Sequence, residues 1–273
     1  SLVSLRTRIG PLVKIMKTVK TWLWIMLSLQ SLAFADPKKE PVPNKDFEVS
    51  EKEVKLPGVT VNRETREVRV EATVCLKSGI LEYLVCKPNT FEHEAIFTTT
   101  TKPELIHAAL LLSGVTPTPL PRDFPGLWFE KALKQKNSRV TIEAEWKEGG
   151  KMKRVNLTEM LQSREDIEDL TEEDAPAKKI EDAWVFTGSF LHTNEKTGKR
   201  AYTANFSGII VGIWPDPSTV IQYGIENGNP YEGKNLGIEI NEAKVPNVGT
   251  KVNLIFSNFA PPAKKEKAPK DAK

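Results

Sequence analysis

The sequence predicts an α+β fold: a mostly antiparallel sheet with one well-marked buried helix and short additional helices. Three observations carry this. Stretches alternating apolar and polar residues recur along the chain, as in "GVTVNRETREVRVEATVCL", the pattern of half-buried antiparallel strands. One stretch, "ELIHAALLLSG", switches to helical spacing. Strands and helices do not alternate regularly and no internal repeat is present, which argues against a parallel β–α–β architecture.

The first 35 residues read as a targeting segment. Arg6, Arg8, Lys14, Lys17 and Lys20 occur without an acid among them; the apolar run "TWLWIMLSLQSL" follows, and then "AFA" at 33–35. That is a positive n-region, an h-region and an A-x-A cleavage site, a signal peptide. The run is shorter than the roughly 20 apolar residues of a membrane-spanning helix, so no transmembrane span is expected once it is removed. A true start at Met16 gives "MKTVKTWLWIMLSLQSLAFA", a compact export signal. The expected location is periplasmic or extracellular.

Charge follows from the same segment. The chain carries 39 Lys and Arg against 36 Asp and Glu, a net of +3. Without the five basic residues of the leader, 34 face 36, a net of −2. The basic character belongs to the leader, and a nucleic-acid partner is not expected. Residues 36–54, rich in Pro and charge, read as a flexible lead. Residues 258–273, ending "APPAKKEKAPKDAK", read as a disordered Lys/Pro/Ala-rich tail. The globular domain is expected between, over 55–257.

Within it, Val68, Val70, Ala72 and Val74 share one face of a strand and Glu67, Arg69, Glu71 and Thr73 the other. A shorter strand and the turn "NRET" precede it. "LEYLVC" and "EAIFTTTT" continue as strands. Cys75 and Cys86 flank a hairpin expected to turn at Ser78–Gly79. Its register sets Cys75 opposite Glu82 and Cys86 opposite Glu71, roughly 13 Å apart at strand rise, so free thiols are expected. Thr101-Lys102-Pro103-Glu104 fits a capping box with Pro in the first turn. The helix behind it is apolar nearly all round and should be buried, and Gly114 closes it. "VTPTPLPRDFPG" is a connection. "RVTIEAEW" and "KMKRVNL" form a hairpin about "KEGG", and Asn156-Leu157-Thr158-Glu159 caps a short helix. The acidic stretch "REDIEDLTEEDAPAKK" reads as an exposed helix end and loop. "AWVFTGSFL" and "AYTANFSGIIVGIW" read as a hairpin around "TNEKTGK", with His192 beside that loop facing solvent. "GTKVNLIFS" is the last strand.

Chemistry-bearing patterns are sparse. There is one E-x-x-H, Glu104 to His107, and no H-E-x-x-H, P-loop, G-x-S-x-G, C-x-x-C or EF-hand loop. Cys86, His93, Glu94 and His107 are the candidate metal ligands, provided the strand that carries His93 packs on the helix. The competing reading gives His107 a buried, hydrogen-bonded place in the fold and pairs His93 with a neighbouring acid. Trp128, Trp146, Trp184 and Trp214 read as core rather than as a sugar-stacking platform. Asn156-Leu157-Thr158 and Asn205-Phe206-Ser207 are sequons, the second in a strand.

The stretches "VEATVCLKSGILEYLVC", "EHEAI", "IHAALLLSG", "WVFTGS", "SGIIVGIWPDPSTVI" and "VPNVGTKV" occur in the order found in the YdjY-type domain, which this sequence resembles over roughly residues 55–257. The resemblance implies a bacterial module found behind export signals, with no established reaction. Some relatives are joined to ferredoxin-like iron–sulfur segments; with two cysteines, this chain lacks a Cys₄ set for such a cluster. The family's His-Glu-Ser stretch matches at His93 and Glu94, with Ala95 in place of Ser. The function expected is therefore a non-catalytic binding or structural module, its cofactor unknown and its partner a protein or envelope component. A metal-dependent or redox-linked enzyme using Cys86, His93, Glu94 and His107 is the alternative.

Overall fold

The period-2 stretches become the walls of a closed barrel. The computed structural model describes residues 47–121, 126–163, 180–226 and 237–259. In chain order its strands are β1 (Glu48–Val49), β2 (Glu53–Leu56), β3 (Val59–Asn62), β4 (Val68–Val74), β5 (Ile80–Leu81), β6 (Tyr83–Cys86) and β7 (Phe97–Thr98). Helices α1 (Pro103–Ser113) and α2 (Gly126–Ala132) follow, then β8 (Arg139–Glu148), β9 (Lys151–Asn156), β10 (Leu161–Ser163), β11 (Trp184–Phe186), β12 (Leu191–Thr193) and β13 (Arg200–Tyr202). Helix α3 (Ala204–Ser207), β14 (Ile209–Gly212), β15 (Ile221–Tyr223), β16 (Ile238–Ile240) and β17 (Lys251–Asn258) complete the chain.

Strands β4, β17, β8, β11, β15, β14, β6 and β7 pair in that order, and β7 pairs back onto β4, closing an eight-stranded ring. Contacts β14–β15 and β6–β7 are parallel; the other six are antiparallel. Closure removes sheet edges, the liability of open sheets. Strand β4 divides one edge between two partners. Val68–Val70 pair with β3 and the β1–β2–β3 meander, while Thr73 and Val74 pair with β7. Strand β8 does the same, giving its far end to β9 and its start to β11. A three-stranded sheet, β10–β16–β5, and the hairpin β12–β13 stand beside the ring.

The α+β expectation is thus corrected: the body is a closed β-barrel, and its helices are accessories of 11, 7 and 4 residues. The reason lies in the short strands. β6, β7, β11, β14 and β15 run two to four residues, mostly buried on both faces. They carry no alternation from which closure could be read. Where strands are long, the reading holds. Val68, Val70, Ala72 and Val74 point inward, with Val140, Ile142, Ala144 and Trp146 of β8 and Val252, Leu254 and Phe256 of β17 in the same core. Outward, Arg69 bonds Glu145, and Arg154 bonds Glu67 and Glu143 across the strands.

Helix α1 joins that core through Ile106, Ala109 and Leu110. It is not buried all round, since Leu111 and Leu112 are exposed. Its C-terminus ends on Gly114 at φ 94°, whose N–H reaches back to the last turn, a conformation that favours glycine. Its N-terminus departs from the expected capping box. Lys102 is the cap residue, Thr101 donates its hydroxyl to Gly58 O (3.0 Å), and the Glu104 N–H is taken by Asn205 Oδ1 from α3 (3.2 Å). Asn205 therefore lies in a helix, not a strand, and donates in return to Glu104 Oε2 (2.9 Å). The Ser78–Gly79 hairpin does not form; β5 pairs with β16 instead. "EAIFTTTT" supplies only β7, because Glu92–Glu94 forms a 3₁₀ turn. β1 and the start of β2 lie within 36–54, so ordered structure begins before residue 55. The leader, the acidic stretch 164–179 and residues 260–273 lie outside the described residues.

Candidate functional site

Two clusters gather the chemistry-bearing side chains. The first is the turn Phe91–Ala95, which folds over β6. Glu92 shapes it: its carboxylate accepts the N–H groups of Asn89 (2.7 Å) and Thr90 (3.1 Å). Phe91 packs on Tyr83 with ring centroids 4.8 Å apart. Tyr83, Cys86, Ala95 and Ile209 form a small buried group distinct from the barrel core. The Cys75 thiol donates to Ala95 O (3.1 Å). Burial, reinforced by Cys86 and Glu92, pushes that thiol up to about 12, and burial also raises Cys86.

Both thiols are free, though not through the expected hairpin register. β7 runs between them: Cys75 N–H donates to Ile96 O, and Cys86 sits beside Thr98. Two strand spacings separate their Cα atoms by roughly 10 Å, beyond the about 7 Å a disulfide tolerates. Thiols held protonated react slowly. Iodoacetamide at pH 8 is expected to modify neither cysteine appreciably in the folded protein and both after denaturation, read by intact mass. A disulfide-linked peptide from the oxidised folded protein would contradict this geometry.

At the edge of this cluster, His93 is exposed, with 71% of its side chain accessible, and its Nε2 lies 3.4 Å from Glu94 Oε1. Glu94 also meets Glu82. Burial first, then the charge of Glu94 and a hydrogen bond between the two carboxyl groups, push the Glu82 carboxyl above its ordinary range, with His93 opposing. Ile213 and Trp214 both donate N–H groups to Glu82 O (2.8 and 3.0 Å), which brings the Trp214–Asp216 turn alongside.

The second cluster centres on His107. Its Nδ1 lies 2.9 Å from Gly188 O and 2.8 Å from Tyr202 Oη, and Tyr202 donates its hydroxyl to Gly188 O at 3.0 Å. A carbonyl oxygen only accepts, so the bond to Gly188 places the ring proton on Nδ1. Phe186 and Tyr202 stand edge-on to the imidazole, and burial lowers its pKa. Gly188 (φ 80°) is required here, since a Cβ would lie 2.9 Å from Pro117 Cβ and 3.1 Å from His107 Cε1. Ser189 follows at φ 52° and accepts the Ala204 N–H (3.2 Å). Ser189 also bonds Tyr202.

A serine, a phenol and a histidine in line resemble a proton relay, but the tautomer forbids it. With Nδ1 protonated, the nitrogen facing Tyr202 has no lone pair with which to act as a base. The cluster is a knot tying the "WVFTGS" turn and the end of β13 to α1. Sequence reasoning missed Ser189 and Tyr202 because no spacing rule joins residues 107, 189 and 202. The one available signal was the Gly-Ser pair in "TGS".

Cys86 and the His93–Glu94 pair thus belong to the turn over β6, whereas His107 belongs to the knot at Gly188. Among the described residues no group of three or more His, Cys, Asp or Glu side chains is placed to hold a metal ion. Trp128, Trp146 and Trp184 are buried, and Trp128 donates to Thr118 O (3.4 Å); Trp214 is half-buried. No helix among the described residues is long and apolar enough to cross a membrane. Asn156, the first sequon residue, spends its side chain on Thr158 and Asp182. A family model described as "YdjY domain" matches residues 59–257. No curated protein and no solved structure matches the chain.

Proposed function

Because the chain belongs to the YdjY domain family, we propose that it is an exported, non-catalytic module that binds a partner or supports an envelope assembly, working in the periplasm or outside the cell. The observation that supports this most directly is the commitment of His107, whose Nδ1 is engaged by Gly188 O and Tyr202 Oη. The thiols give the same support: Cys75 donates to a backbone carbonyl, and burial holds both protonated. A thiol must ionise to ligate or attack, and these sit where ionisation is opposed. The leader supports export, since a basic n-region, a short apolar run and "AFA" are what a signal peptidase recognises.

The competing reading is a metal-dependent or redox-linked enzyme built on Cys86, His93, Glu94 and His107. Metal analysis of the purified protein without residues 1–35, beside its His93→Ala and His107→Ala variants, separates the two. The expected result is substoichiometric zinc, iron and manganese in all three proteins. Stoichiometric metal that both variants lose would replace this proposal with the enzyme. Fractionation of cells making the chain with and without residues 1–35 tests export: the protein should leave the cytoplasm only when they are present.

A further inference from the structure

We propose that the cleft where β9 and β11 part from β8 is a binding site for a saccharide, whose hydroxyl groups meet Asp182 and whose C–H face rests on Phe259. The proposal rests on the binding-module reading and gives it a ligand class. The fold opens this cleft at a fork. Along one edge of β8, Glu143 pairs with Asn156 of β9 while Val140 pairs with Trp184 of β11, and Thr141 and Ile142 lie between those pairs. The other edge of β8 carries β17 as far as Asn258, so Phe259 emerges beside the fork, its N–H donating to Arg139 O (3.1 Å).

The cavity there has a volume of about 880 Å³, within the roughly 300–1,000 Å³ of small-molecule sites. Asn156, Thr158, Ile180, Asp182 and Phe259 line it, with the exposed Glu159 and Glu181 at its rim.

A second observation points to a ligand. The Asp182 carboxyl accepts from Asn156 Nδ2 on Oδ2 (3.2 Å), and its Oδ1 is buried without a hydrogen-bond partner. Arg139 stands behind it. Its Nη2 donates to Asp182 O (2.6 Å), its guanidinium lies 3.6 Å from the centre of the Phe259 ring, and its Nε is buried and equally unpartnered. Buried polar groups are nearly always paired. A cavity wall that keeps an unused acceptor and an unused donor on two touching residues is completed by a ligand that serves both. Seating it turns Asp182 about its bond from Asn156 and brings Oδ1 to the cavity.

A hydroxyl is the group that fits. It donates and accepts through one oxygen, so it matches Oδ1 and Nε together. Burial raises the Asp182 carboxyl above its ordinary range, with Thr141, Asn156 and Arg139 opposing, and a hydroxyl suits that carboxyl ionised or protonated. A cation would face Arg139, and an anion would face Asp182, Glu159 and Glu181. A trans peptide amide points its N–H and C=O in opposite directions and serves only one of the two atoms. The acids do not form a metal site, since no three His, Cys, Asp or Glu side chains among the described residues are placed to hold an ion. Phe259 is 42% exposed with Arg139 against one face of its ring. The remaining ring surface, with Ile180, takes the C–H side of a sugar out of water.

Titration of the isotope-labelled folded protein with chitotriose, maltotriose or tetra-alanine, followed by backbone amide shifts, is the test. Saturable shifts at Asn156, Asp182 and Phe259 are expected with a saccharide, chitotriose marking an aminosugar glycan and maltotriose a glucan. Phe259→Ala changes an exposed position, and Asp182→Asn keeps the shape of the carboxyl. Each should weaken that binding at least about tenfold, for a lost apolar contact and a lost hydrogen bond to a charged group respectively, while the amide shifts of β4 stay unchanged. The proposal is overturned if neither saccharide gives saturable shifts, if the shifts fall elsewhere, if both variants bind as the wild type does, or if tetra-alanine binds there in a saccharide's place. Such a failure is distinct from failure of the module reading, which is decided by metal at His93 and His107.

Discussion

Phe97→Ala is expected to lower the unfolding free energy by about 3–5 kcal/mol, the range for emptying a buried phenylalanine site. Phe97 is fully buried in a strand of two residues. That strand closes the ring: Phe97 pairs antiparallel with Val74 of β4 and parallel with Val85 of β6. Few backbone bonds hold β7, so the side chain supplies much of what keeps it between its neighbours. Domains of this kind are stable by about 5–15 kcal/mol, and the change removes a large part of that. Urea unfolding followed by tryptophan fluorescence should show a lower midpoint with an unchanged slope. The fully buried Trp184 of β11 is a suitable reporter inside the ring. Val49→Ala, at an exposed position of β1, should shift stability by less than about 0.5 kcal/mol. A comparably small effect at Phe97 would mean that β7 does not hold the barrel closed.

His107→Ala should cost about 2–4 kcal/mol, combining the space left by the imidazole with the loss of partners for Gly188 O and Tyr202 Oη. The same residue gives stability a pH dependence of defined sign. Burial lowers the folded pKa of His107 below its unfolded value near about 6.5. Above that value both states are neutral at this ring and its contribution is fully present. As pH falls through it, the unfolded chain takes up a proton that the folded ring refuses, so stability declines. The opposite sign belongs to Glu82, whose raised folded pKa favours the fold below the ordinary carboxyl range and loses that contribution as pH rises through the folded value. Between pH 7.5 and 5.5 the wild-type melting temperature should therefore fall more steeply than that of His107→Ala. Parallel profiles would mean that His107 does not titrate differently in the two states. Tyr202→Phe should keep the wild-type slope while losing about 1 kcal/mol for its bond to Gly188 O.

Much of the local structure was legible. The inward Val68–Val74 face and the β8–β9 turn at Gly149–Gly150 came from a period of two. The end of α1 at Gly114 and the turn at Asn156, whose Oδ1 accepts the Thr158 N–H, came from cap chemistry. The candidate site was legible only in part. His93 beside Glu94 follows from adjacency, and His107 in a hydrogen-bonded place was one of two readings. Its partners were not legible, because Gly188 and Tyr202 lie 81 and 95 residues away. The hairpin proposed between Cys75 and Cys86 failed for a related reason. A run of apolar residues such as "LEYLVC" states that a strand is buried but not beside which strand. β6 lies between β7 and β14, not against β4.

The amino-acid order by itself determined which residues face inward, where α1 stops, and that the basic excess belongs to the first 35 residues. Each depends on neighbours a few positions apart, where periodicity, glycine's access to positive φ and simple charge balance decide the outcome. The tertiary structure alone decided that the sheet closes, that β7 separates the two thiols, and that His107, Gly188 and Tyr202 meet. Those outcomes depend on which distant backbone groups satisfy each other. Every buried N–H and C=O must find a partner, and for strands of two to four residues that demand is met only by the arrangement of the whole ring.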